Sequence, residues 1–116
     1  MRHIILLTAS AILSFEAFAA ETNRVSRAEL WKQIAAAESQ GLPQTAIKHL
    51  EPLIEGALAD KAYGEAAHGI AKKVIYQANV QGNRPEEKIR LIAAEVAKAP
   101  PEIKPLLQTI EALWYW

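Results

Sequence analysis

From Val25 onward, apolar residues recur at three- and four-residue steps and never alternate with polar ones as in a half-buried strand. Leu30, Trp31, Ile34 and Ala37 form a first stripe. Ala46, Ile47, Leu50, Leu53, Ile54, Ala57 and Leu58 form a second. Tyr63, Ala66, Ala67, Ile70, Ala71, Val74 and Ala78 form a third. Ile89, Ile92, Ala93 and Val96 form a fourth, and Ile103, Leu106, Leu107, Ile110, Leu113 and Trp114 a fifth. Five helices follow, so the fold class is all-α. Short loops between them predict antiparallel neighbours.

The ends of these stripes are punctuated. Ser26-Arg27-Ala28-Glu29 is a capping box, in which the Ser26 hydroxyl accepts from the Glu29 amide and the Glu29 carboxylate reaches back. Val25 and Leu30 flank it at the staple positions. Gly41 suits the left-handed residue that closes a helix. Pro43 opens the next helix, where its missing N–H costs nothing. Pro52 removes the bond to the Lys48 carbonyl and predicts a bend or split there. Asp60 is expected to cap the third helix and Asn83 the fourth, with Glu86 three residues beyond Asn83. Gly64 and Gly69 cost about 1 kcal/mol each against alanine inside a helix. Their expected use is the close approach of a neighbouring helix. Ala99-Pro100-Pro101 stops the fourth helix and a fifth begins near Pro101.

Gly41, Ala46 and Leu50 reproduce the glycine, small and large spacing of a tetratricopeptide-type hairpin. The first and third helices are expected to start 34 residues apart, at 27 and 61, which is that repeat's length. The second hairpin does not repeat the spacing. The expected architecture is a tetratricopeptide-like right-handed stack, or a bundle, of five antiparallel helices.

The N-terminus has a different texture. Met1-Arg2-His3 is basic, Ile4 to Phe15 carry no charge, and Ala17-Phe18-Ala19 is an A-x-A pattern. The apolar run is shorter than the ~20 residues that span a bilayer. It reads as a signal peptide over residues 1–19, with one helical domain over 20–116. The product is expected to be exported, to the periplasm or beyond, with no membrane association after cleavage. The 116-residue chain has no cysteine, so disulfides and thiolate metal sites are excluded. With 13 basic and 13 acidic side chains it lacks the excess charge of a nucleic-acid binder.

Candidate chemistry is sparse. Glu65-Ala66-Ala67-His68 places a carboxylate and an imidazole on one helix face, but a di-iron bundle needs two such pairs and two further carboxylates. After residue 19 only Ser26 and Ser39 remain as serine nucleophiles, with no nucleophile-elbow pattern around either. No glycine-rich phosphate loop occurs, and Lys72, Lys73, Arg84, Lys88 and Arg90 read as helix surface. No catalytic residue, metal or cofactor is expected. The aromatic end Trp114, Tyr115 and Trp116 is the candidate interaction site. Its rings either fold back onto the core, with Trp31 as a neighbour, or meet a partner.

From Leu30 to Trp116 the chain resembles the helical N-terminal segment of large bacterial alpha-2-macroglobulin-like proteins of the planctomycete type. The resemblance rests on GLPQTAI, IEGALADKAY, QGNRPEEKI and the terminal LWYW. Those proteins are exported protease traps whose chemistry lies in a bait region and a Cys–Gln thioester. Without cysteine, this chain takes no trapping residue from them. The resemblance implies a non-enzymatic helical interaction or scaffold domain. Its partner would be another protein or the remainder of a longer chain. The first alternative is a standalone exported helical protein. The second is a small metal-binding protein using Glu65 and His68.

Overall fold

The computed structural model describes residues 25–116, which fold into five α-helices: α1 (Arg27–Ser39), α2 (Pro43–Ala59), α3 (Tyr63–Val80), α4 (Pro85–Lys98) and α5 (Lys104–Tyr115). No strand occurs among these residues, so the all-α class holds. The expected leader over residues 1–19 lies outside the described residues.

Each helix packs against the next, and α5 also returns to α3. The seams are small and apolar. Ile34, Leu50, Leu53, Val74, Ile92, Ile103 and Leu107 are wholly buried. Alanines 37, 46, 57, 66, 67 and 78 are buried around them. Burying each large aliphatic side chain contributes roughly 1.5–3 kcal/mol. With no cysteine in the chain, this burial is the main cohesive term.

At the start of α1 the Ser26 half of the capping box forms, its hydroxyl accepting from the Glu29 amide at 3.1 Å. The first three helices end alike. Behind α1, the Leu42 amide donates to the Ala37 carbonyl and the Gly41 amide to that of Glu38. Ala62 and Lys61 repeat this pair of bonds behind α2, and Asn83 and Gly82 behind α3. This is the Schellman arrangement, whose penultimate residue must be left-handed. Gly41 and Gly82 adopt that geometry freely, at φ +67° and +104°. Lys61 is forced into it at φ +58°. Lys61→Gly should therefore raise stability by about 1 kcal/mol, read as a higher urea midpoint at unchanged slope.

Several expected boundaries are corrected. Asp60 does not cap α3; it is the C-cap of α2, and α3 begins after Ala62 with no side-chain cap. Arg27, 33 residues earlier, takes the Asp60 carboxylate instead. Asn83 likewise does not cap α4: it sits left-handed at φ +58° in the Schellman turn, and Arg84 takes the N-cap position. Pro52 does not split α2, which runs unbroken past it. The proline lies on the exposed face, so the Lys48 carbonyl it deprives of a partner is on the solvent side. The fifth helix starts at Lys104, with residues 101–103 in a turn and Pro105 in the tolerated first turn. Of the two glycines in α3, only Gly69 marks a close approach. A Cβ there would lie 2.9 Å from Ile54 and 3.1 Å from Leu53, whereas one at Gly64 would meet nothing within 4 Å.

Candidate functional site

Arg27, in the first turn of α1, joins three helices. Its guanidinium pairs with Asp60 at the end of α2, donates to the Glu65 carboxylate on α3 at 3.1 Å, and reaches the Gly56 carbonyl at 3.4 Å. The Asp60 hydrogen bond and the two carboxylate charges hold its proton more tightly than usual. One turn on, the Trp31 indole N–H donates to the other Glu65 oxygen at 2.8 Å. The Trp31 ring stacks on His68 with centroids 5.0 Å apart. Further along, Glu38 accepts from Lys72 of α3. The pairs Trp31–Glu65 and Glu38–Lys72 are each 34 residues apart, so partners advance together along both helices.

In this geometry the E-x-x-H pattern is engaged within the fold. Both Glu65 oxygens already accept hydrogen bonds, from Arg27 and from Trp31, and His68 lies flat on the indole. Among the described residues, no three metal-ligating side chains converge. The arrangement clamps α1 to α3.

Glu38 and Tyr76 make the same seam sensitive to pH. Lys72 first, and the Tyr76 hydroxyl second, hold the Glu38 carboxyl below its ordinary value of 4.5. Burial first, and Glu38 second, push the Tyr76 phenol above its ordinary 10.0. A carboxyl lowered by folding stabilises above its unfolded pKa, and that contribution is lost as pH falls through the folded value. A phenol raised by folding stabilises below its unfolded pKa, and that contribution is lost as pH climbs toward the folded value. Stability should therefore decline below about pH 4.5 and above about pH 10. Tyr76→Phe should remove its share of the alkaline decline and Glu38→Gln its share of the acid one, as seen in urea midpoints across pH.

The terminal aromatics divide. Trp114 is half-buried against the core, with the Lys88 ammonium of α4 4.9 Å from its ring centre. Such a contact contributes roughly 0.5–1 kcal/mol at an exposed site. Tyr115 is 69% exposed and Trp116 fully so. Trp31, the neighbour expected for these rings, is engaged with Glu65 and His68 instead. Leu106 and Leu113, expected on the inner stripe of α5, also face outward, Leu113 at 68% exposure. Ile103 and Leu107 take the inner positions, with Ile110 and Trp114 beside them. Leu106, Leu113 and Trp116 therefore line the outer side of the last helix at helical spacing.

A second feature escaped the sequence reading. Glu95 of α4 is buried and forms an ion pair with Lys73 of α3 at 3.1 Å, with Lys98 3.4 Å away. This pair bridges α3 and α4 in the wall of a cavity of about 220 Å³ that Ile54, Ile70, Ile103 and Leu107 also line. Apolar spacing does not single out Glu95, so only the packing reveals it. Among the described residues, no helix is long and apolar enough to cross a membrane.

Comparison with known proteins returns no matching family model, no matching curated protein and no matching solved structure.

Proposed function

We propose that the protein is an exported, non-enzymatic helical domain that works by protein–protein contact, with its helices stacked as antiparallel hairpins in the tetratricopeptide manner. The observation that carries this reading is the outer side of α5. A stack of helices must end on a polar face to be soluble alone. Here the last helix presents Leu106, Leu113, Tyr115 and Trp116 to solvent. Tyrosine and tryptophan supply much of the binding energy at protein interfaces.

Two further points support the reading. The 34-residue offset of the contacts between α1 and α3 suits stacked hairpins of tetratricopeptide length. The clamp at Glu65 uses in structure the residues that a metal site would need. Export rests on the leader-like residues 1–19, and the resemblance to macroglobulin-like proteins suits a scaffold role.

The test places charge on the contact face while sparing Trp114, which belongs to the core. Leu113→Glu with Trp116→Glu should leave the thermal melt unchanged within about 0.5 kcal/mol. The same variant should lose self-association in sedimentation and capture of partner from the envelope fraction of the source cells. Both activities persisting would contradict the proposal.

A further inference from the structure

Among the described residues, α2 packs on α1 and α3, but its backbone does not closely approach α4 or α5. The space left beside α3 is the cavity of about 220 Å³. Its apolar wall has three sources: Ile54 from α2, Ile70 from α3, and Ile103 with Leu107 from the start of α5. All four side chains are buried. Ala99 and Pro100, in the turn between α4 and α5, close one side. Proline fixes its own backbone and holds Ala99 extended, at φ −70° and ψ 142°, so this side of the cavity is rigid.

The rest of the lining is charged. Lys73 and Lys98 both bring their ammonium to the same oxygen of Glu95, Oε1, at 3.1 and 3.4 Å. An ammonium has three N–H donors and no acceptor. Two ammoniums against one carboxylate leave donors in excess, and one net positive charge, beside buried apolar walls. Packed interiors keep few voids larger than a water molecule. A cavity several waters in size, apolar and with a few convergent polar groups, has the form of a small-ligand site.

We infer that this cavity binds a small monocarboxylate with a compact apolar body. The body lies against Ile54, Ile70, Ile103 and Leu107, and the carboxylate takes N–H donors from Lys73 and Lys98. Size and charge select this class. An apolar cavity of roughly 150 Å³ takes a benzene-sized guest, so about 220 Å³ adds room for a carboxyl group. A second carboxylate balances the two ammoniums and completes the neutralisation that Glu95 begins. An ammonium ligand would add a further unpaired positive charge, which is costly away from water. An uncharged ligand of the same shape fills the walls but leaves the excess donors unused. The site is separate from the outer side of α5, since Ile103 and Leu107 are buried and Leu113 faces out. It does not depend on the contact role proposed above.

Benzoate, benzyl alcohol and benzylamine share one ring and differ in charge. Each is titrated into the protein and followed through its methyl NMR signals. Benzoate at millimolar concentration should shift the methyls of Ile54, Ile70, Ile103 and Leu107 saturably and leave those of Leu113 in place. Benzyl alcohol should bind about tenfold more weakly, the factor that a hydrogen bond between charged groups adds. Benzylamine should not bind. Lys98→Met keeps the length of an exposed side chain and removes its charge. It should weaken benzoate about tenfold and leave benzyl alcohol unchanged. Ala99→Phe adds a ring to the lining from an extended backbone that any residue adopts, and should abolish the binding of both. Thermal melts establish first that each variant folds; if Ala99→Phe does not, Lys98→Met decides alone. Absence of a saturable benzoate shift at the four lining residues would overturn the inference. So would equal affinity for benzoate and benzyl alcohol, or benzoate binding that Lys98→Met leaves intact. Either result would mean that the walls hold the ring and the lysines do not read its charge.

Discussion

Glu95→Ala should lower the stability of the fold by about 3 kcal/mol, among the largest losses expected from a single polar residue. The carboxylate lies between α3 and α4, where its side chain is 11% exposed and that of its partner Lys73 is 16% exposed. Taking both charges from water is costly, and their 3.1 Å contact offsets much of that cost. Alanine leaves the Lys73 ammonium beside Ile54, Ile70 and Leu107 without its partner. Lys98, whose side chain is largely exposed, gains water instead and contributes little to the loss. The pair is not expected to stabilise the fold beyond what apolar packing would provide. Lys73→Met combined with Glu95→Leu should therefore recover most of what Glu95→Ala loses. Urea unfolding of the two single variants and the double variant measures this coupling. A loss under 0.5 kcal/mol for Glu95→Ala would place Glu95 at the surface and refute the packing of α4 on α3.

Gly69→Leu should cost about 2–3 kcal/mol, while Gly64→Ala, five residues away in the first turn of the same helix, should gain up to about 0.5 kcal/mol. Both changes remove the entropic penalty of a helical glycine. The difference is what lies opposite. The first added carbon at position 69 already falls 2.9 Å from Ile54 and 3.1 Å from Leu53. Both neighbours are buried, so neither can swing into solvent. The rest of the leucine side chain must then push α2 and α3 apart along their seam. Position 64 has open space around it. Opposite signs in thermal or urea melts are the expected result. Equal gains at both positions would mean that the two helices do not meet at Gly69.

The helices were legible because their signals are local. Ser26 caps through a bond three residues away, and Gly41 supplies the backbone freedom its turn demands. The apolar stripes of the first three helices matched the buried residues for the same reason, since each needs only helical spacing. What failed involved competition from afar. Asp60 suits a cap, but Arg27 claims its carboxylate. Lys61 carries no mark of a left-handed residue, yet it occupies the turn position that Gly41 and Gly82 fill elsewhere. Leu106 and Leu113 belong to an apolar run broad enough to cover two sides of α5, and spacing cannot say which side is covered. The terminal aromatics were legible as a group but not as individuals: Trp114 packs inward and Trp116 outward. Glu65 and His68 were visible as a pair. Their partner Trp31 was not, because it lies on another helix.

Through Trp31, α1 is joined to α3 at a 34-residue offset. A nuclear Overhauser spectrum of the folded product reads this contact. Cross-peaks should connect the Trp31 ring protons to those of His68, whose ring centre is 5.0 Å away, and to the side chain of Glu65. A Trp31 ring that instead contacts Tyr115 or Trp116, or only its own helix, would contradict this joining of α1 to α3.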